Sequence, residues 1–356
     1  MKKWSIHTLF LAILCCSIFS CTKEKQELLS EEQNALYSID VTVKNDMLSF
    51  PNNEEYLRAV KVIASTPDEA VISWIKGLGF PSLWTEFYNI EARIPDEDNT
   101  LSFEEILSSD EKKRYQIEDN TLNPNLSIRP IGYLVNSRFR VSIGNSLHYF
   151  DDRVHIVIAD GQEDKLTRAL AGKEPESSIV RITYQQNSTE TQNALAKLEQ
   201  KLVNCAASQV TNVAHKKKVG SDQIIVELRT YQNAFASSDP STDWELTAET
   251  FINIRNLRKS GFIWKHTAKT TNIRSTAGSS RWIVPNILDI NLPHDIVNEV
   301  RTVQWWDEIL VVSTDFVRVS VIGSNPHIGD IAFLEEGTGR GSRFDVSSLD
   351  IEVGCQ

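Results

Sequence analysis

Hydrophobic periodicity changes partway along this chain, and that change constrains the fold more than any single motif does. Residues 51–116 read as helical: Asn52 to Glu55 and Thr66-Pro67-Asp68-Glu69 both fit the capping-box spacing, and Gly77 and Gly79 end the second helix. From Ile131 the period falls to two. Arg138 to Ile143, a Gly144-Asn145 turn, Ser146 to Phe150 and Val154 to Ala159 before Asp160-Gly161 predict a small antiparallel meander. A short helix over Glu163 to Leu170, a loop at Gly172 to Ser178, a strand over Ile179 to Tyr184 and a helix over Gln192 to Ala207 follow.

The run His215-Lys216-Lys217-Lys218-Val219-Gly220-Ser221 has no apolar period and reads as a linker, 215–221. Beyond it helical patterns vanish. Ile224 to Tyr231, Trp244 to Ile254, Phe262 to Thr270, Ile309 to Ile322 and Phe344 to Val353 are rich in β-branched and aromatic residues, with turn formers between them. The expected architecture is an α+β domain over 41–214 and an all-β, sandwich-like domain over 222–356.

Upstream of both, Lys2 and Lys3 precede the apolar run Leu9 to Leu14, which ends in Ile18-Phe19-Ser20-Cys21. A basic start, a short apolar stretch and a small residue before the cut form an export signal over 1–20, and the apolar run falls short of the ~20 residues a bilayer span needs. A cysteine straight after the small residue makes it a lipoprotein signal, and the chain resembles the cell-envelope lipoproteins of Bacteroidetes. The resemblance covers the leader closely and the rest loosely. It implies a diacylglycerol on the Cys21 thiol and a further acyl chain on its amino terminus, with 21–40 as a polar tether and the lipid bilayer, at the outer membrane, as a partner. Those bacteria mark surface export with acids just after the lipid cysteine. Here Lys23 and Lys25 interrupt them, so surface and periplasmic faces both stay open.

Charge divides unevenly. The chain carries 37 Lys and Arg against 48 Asp and Glu, net −11; removing Lys2 and Lys3 with the leader leaves −13. Residues 22–120 hold 10 basic and 21 acidic side chains, which disfavours nucleic acid as a partner for that part. Of five cysteines, Cys15 and Cys16 leave with the leader, so Cys205 and Cys355 remain beside Cys21. In an oxidising compartment they could bridge, closing a loop worth ~4 to 5 kcal/mol in the chain-entropy model. Alternatively Cys205 completes a helix stripe with Leu195, Leu198 and Leu202, and Cys355 is a free thiol.

Few motifs carry chemistry. Asp96, Asp98 and Glu105 follow the spacing of a calcium loop, but Ile94 stands where its first acid belongs; alternatively Ser102 caps a helix and Glu105 closes the box. Gly337 to Ser342 is glycine-rich without a following helix, which suits a hairpin tip better than a phosphate loop. Between Glu249 and Asp289 there are no acids, while Arg255, Arg258, Lys259, Lys265, Lys269, Arg274 and Arg281 occur with Trp264 and Trp282. Together Arg255, Arg258, Lys265, Trp264 and Trp282 form a candidate anion or glycan face; the competing reading is a solvated sheet surface. Trp305 and Trp306 would point to opposite faces of a strand, and His155 reads as a core or edge residue. GxSxG, CxxC and HExxH patterns do not occur, so no catalytic residue and no cofactor is expected.

The expected function is a membrane-anchored, non-catalytic binding module whose partner is a glycan or an envelope protein. Two alternatives belong to other classes: a carboxylate-dependent glycan or peptidoglycan hydrolase, and a structural subunit of an envelope assembly.

Overall fold

The structure is a computed structural model that describes residues 34–95, 100–126, 128–151, 154–173, 180–183, 212–236, 243–274, 279–284, 288–293, 295, 298–303, 306–315, 317–320, 333–334, 342–346 and 349–353. It is an α+β fold in which helices pack on mixed sheets. The lipidation and cysteine-bridge expectations at Cys21, Cys205 and Cys355, and the helix expected over 192–207, lie outside the described residues. Among the described residues no helix is long and apolar enough to cross a membrane.

After a helical turn at 34–37 comes a hairpin, β1 (Thr42–Lys44) and β2 (Met47–Phe50), whose Asn45-Asp46 turn has both residues at positive φ, 50° and 59°. Three helices follow, α1 (Asn53–Ser65), α2 (Asp68–Gly77) and α3 (Leu83–Ala92), then the short α4 (Phe103–Ile106). Asn52 caps α1 by accepting the Glu55 N–H at 2.8 Å, but Glu55 returns its carboxylate to Asp40 and Arg58 instead of closing the box. The second expected box is not made: α2 starts after Pro67, and the Thr66 hydroxyl donates back to the Val62 carbonyl. Ser102 and Glu105 do form a box at α4.

A hairpin of β3 (Tyr115–Glu118) and β4 (Thr121–Pro124), then α5 (Arg129–Leu134), lead to the expected meander: β5 (Arg140–Ile143), β6 (Ser146–Phe150) and β7 (Val154–Ile158). With β8 (Val180–Thr183) it makes a six-stranded sheet in the order β1-β2-β5-β6-β7-β8, the β2–β5 pairing being parallel. The helix α6 (Glu163–Leu170) packs on β6 and β7.

The segment expected to be a linker is a strand. Residues Asn212–Val219 form β9, antiparallel to β10 (Asp222–Ala236), and only Gly220-Ser221 turn between them. Its lysines spoil the apolar period because β9 is the last strand in the order of its sheet, and charge on an edge strand discourages further pairing. The long β11 (Asp243–Ser260) pairs β10 along one side. Along the other it pairs in turn β12 (Ile263–His266), β17 (Trp306–Ser313) and β18 (Val317–Ser320).

The remaining strands are β13 (Lys269–Arg274) with β16 (Asn298–Val303), β14 (Ser279–Val284) with β15 (Leu288–Pro293) and β19 (Phe333–Leu334), and β20 (Ser342–Val346) with β21 (Leu349–Val353).

The large sheet crosses the expected domain boundary. β4 joins β12 by a parallel bridge between Thr121 and Trp264, so the order runs β3-β4-β12-β11-β10-β9. One hydrophobic core joins Leu36, Phe50, Tyr56, Trp84 and Phe150 to Phe235, Phe251, Ile263 and Trp306. Residues from both expected domains share that core, and a boundary at 215 does not describe it. Within it α5 lies so close to α3 that a Cβ on Gly132 would fall 1.6 Å from Trp84 Cδ1.

Candidate functional site

Alternation along β11 puts Thr247, Glu249, Phe251, Asn253 and Arg255 on one face, and polar groups there are buried where a plain core would be apolar. Each is held by its neighbours. Glu249 accepts from Asn233 Nδ2 at 2.8 Å; burial, only partly offset by Thr247, Lys61 and Asn233, pushes its carboxyl up to about 7. Arg129 is buried on α5, with Nε donating to Asp68 Oδ1 at 2.7 Å and Nη1 to the Ile63 carbonyl at 3.0 Å. Its backbone N–H donates to Glu308 Oε1 at 3.0 Å, and the Tyr133 hydroxyl donates to Asp68 at 2.8 Å. This one guanidinium closes the C-terminal end of α1 and pairs with the first residue of α2.

Two further clusters flank it. His266 on β12 has Nδ1 3.1 Å from Glu91 Oε1 and is packed between Phe87 and Trp306. His148 Nδ1 lies 3.0 Å from His155 Nε2, against Phe150 and Phe235, and burial holds His148 down at about 3. A carboxylate beside an imidazole can work as a general base, but this pair is fully covered, at 0% and 1% exposure. The first cluster locks α3 to β12 and the second packs β6 and β7 against β10.

An outward-facing surface lies at one end of the large sheet, where three hairpin tips meet. Asp119-Asn120, both at positive φ as a type I′ turn requires, joins β3 to β4. Gly220-Ser221 joins β9 to β10, and Gly261-Phe262, with Gly261 at φ 57°, joins β11 to β12. Backbone bonds tie them together: Trp264 N–H to the Asn120 carbonyl and Lys259 N–H to the Ser221 carbonyl, each 2.8 Å. Phe262 stands out of this surface with 74% of its area exposed; Arg258, Lys259 and Lys218, near the ends of the adjoining strands, are also exposed, as is Asp119 in the neighbouring tip.

The candidate glycan face expected from sequence does not assemble as one face. Arg255 and Arg258, an odd number of residues apart on β11, point to opposite sides. Arg255 is buried, bonded to Asn123 at 2.6 Å and stacked over Trp306 at 4.6 Å. Trp264 is buried with Ile225 and Leu257, and Lys265 Nζ donates to the Ile94 carbonyl at 2.7 Å. Arg258 faces solvent but pairs with Asp222 at 3.0 Å. The side chain of Trp282, on β14, lies outside the described residues, as do Asp96 and Asp98. Glu105 serves its capping box, accepting from the Ser102 N–H at 2.8 Å, and among the described residues no group of three or more His, Cys, Asp or Glu could hold a metal ion. His155 is in the core, as expected, and Trp306 is buried.

Sequence reasoning missed Phe262 as a surface residue, because apolar alternation absorbed it into a strand; the Gly before it was the available turn signal. It also missed a cleft of about 320 Å³ lined by Glu86, Asn89, Ile90, Arg93, Glu111 and Arg114. Burial raises Glu86, against Arg114. Glu111 is held below the ordinary range: burial works the other way but is outweighed by bonds from Ser108 and Arg93.

No family model matches the chain, and no curated protein matches it. Among solved structures, a DUF4848 family protein from Bacteroides thetaiotaomicron aligns over 87% of this chain and 96% of its own, with 13% identity and a TM-score of 0.27. That likeness is too distant to transfer a fold or a function.

Proposed function

We propose that this is a lipid-anchored protein of the bacterial cell envelope, at the outer membrane, whose folded part is a non-catalytic interaction module with the three hairpin tips as its contact surface. A sandwich-like arrangement of the strands after β12 belongs to the same proposal. The observation that carries it is the Gly261-Phe262 tip. A large aromatic ring held out on a tight hairpin and braced by two neighbouring tips has the make-up of an interface anchor. The ring offers a stacking plane and Lys259 and Lys218, on the adjoining strands, offer charge, which suits an acidic glycan or an acidic envelope protein. The lipobox supplies the anchoring half of the reading.

The test is a glycan-array and pull-down comparison of the leaderless protein with a Phe262→Ser, Lys259→Glu variant and a Leu170→Ser control. The tip variant should lose its partner while keeping its melting temperature, and the control should lose nothing. Undiminished binding by the tip variant contradicts the reading.

One observation favours a second reading, a carboxylate-dependent glycan hydrolase. Glu86 and Glu111 line a single cleft, and their environments drive their protonation apart, as an acid and base pair requires. Hydrolysis of an arrayed glycan that is lost in Glu86→Gln would establish it.

A further inference from the structure

The point where the chain enters the fold and the hairpin tips lie at opposite ends of β11. α1 packs on β17 and runs in the same sense as β11. Near its start Asn53 Nδ2 donates to Glu245 Oε2 at 3.1 Å. At its far end the Ile63 carbonyl is held by Arg129, whose own N–H reaches Glu308, the cross-strand neighbour of Asn253. The chain enters the fold beside the first turns of α1, because Arg58 Nη1 donates to Ser38 Oγ at 2.9 Å and Glu55 accepts from the Asp40 N–H. Leu36 is already in the core. From Glu245 to Gly261 β11 is paired all the way, to β10 through Arg258 and to β12 through Ser260, and at ~3.3 Å per residue that distance is about 50 Å along the strand.

Resting on the lipoprotein reading, we infer that the Gly261-Phe262 tip is the membrane-distal end of the anchored protein, so that its partner approaches from the aqueous side and is not the bilayer that holds Cys21. The segment from Cys21 to residue 33 spans at most ~45 Å even when fully extended. That keeps the bilayer near the Ser38 end. A tip-down pose would need a tether longer than the ~50 Å that separates the entry point from Phe262, so Phe262 meets the bilayer only if the sheet lies flat on it. An exposed phenylalanine at a hairpin tip would otherwise read as a membrane-insertion tip, and its place in the fold argues against that use.

Energy transfer to lipid tests this in the full-length lipidated protein. p-Azidophenylalanine placed at Phe262, or in a second preparation at Tyr37, which is 65% exposed beside the point of chain entry, is coupled to a donor dye. The protein is then bound to vesicles of phosphatidylcholine and phosphatidylglycerol carrying a headgroup acceptor. Transfer from position 37 should exceed transfer from position 262 several-fold. Vesicle-bound protein with equal transfer from both positions, or more from 262, overturns the orientation and leaves the anchor standing. Wild-type protein that binds vesicles no better than Cys21→Ala overturns the anchoring reading, and the orientation falls with it.

Discussion

At the scale of single residues, buried polar groups set the pH response. Glu249 is raised by burial from 4.5 to about 7, so the folded state holds its proton more tightly than the unfolded chain does. The stability it contributes is complete below about pH 4.5 and is lost as pH rises through 7. Replacing it with Gln should make the difference in unfolding free energy, wild type minus variant, fall by ~1.4 kcal/mol per pH unit between about pH 4.5 and 7 and level off beyond. Urea titrations across that range check it, and a flat difference contradicts it. His148 acts in the opposite sense. Its folded-state value lies near 3 against 6.5 unfolded, so its contribution is present above about pH 6.5 and is lost as pH falls towards 3. Between about 4.5 and 6.5 these two contributions oppose each other in the wild type, and Glu249→Gln removes one of them. Gly132 gives a steric test. A methyl there would collide with the Trp84 ring, whose Nε1 is fixed at 3.2 Å to the Leu126 carbonyl, so Gly132→Ala should destabilise by about 1 to 3 kcal/mol or more in the same titrations.

Elements meet where helix ends are closed. Arg129 binds the last carbonyls of α1 and the Asp68 carboxylate at the start of α2, so Arg129→Ala should cost ~3 to 5 kcal/mol by leaving a buried acid unpaired. Asp68→Asn, which keeps an acceptor for Arg129 and Tyr133, should cost less. This explains what could be read from the chain in advance. The helices α1 to α3 and the β5–β7 meander announce themselves by local period, caps and the Gly144-Asn145 turn, all set by neighbouring residues. The second capping box failed because Thr66 finds a carbonyl within α1 that competes for its hydroxyl. The candidate glycan face failed for a different reason. Strand parity separates Arg255 from Arg258, and long-range partners such as Asn123 and Ile94, distant in sequence, claim the polar ends of Arg255 and Lys265. The lysine run misled because edge position, which only the sheet order reveals, makes a charged strand acceptable. With β9 paired to β10 from Asn212 to Val219, native trypsin cleavage after Lys216 to Lys218 should be slow and should speed up only as the strand opens; rapid clipping there at low urea contradicts the pairing.

For the whole molecule, a core shared by helices from the first half and strands β10, β11, β12 and β17 from the second ties those elements together, with the entry point and the exposed tips about 50 Å apart along β11. That geometry suits display from a surface, and the account depends on the surface being a bilayer joined at Cys21. The most direct measurement is mass spectrometry of the amino-terminal peptide of the protein taken from the membranes of cells that make the whole chain. The account predicts a mature chain that begins at Cys21 and carries a diacylglycerol with a further acyl chain, and that Cys21→Ala leaves the membrane fraction. An unmodified amino terminus at Cys21, or a Cys21→Ala protein that stays with membranes through a salt wash, would contradict it.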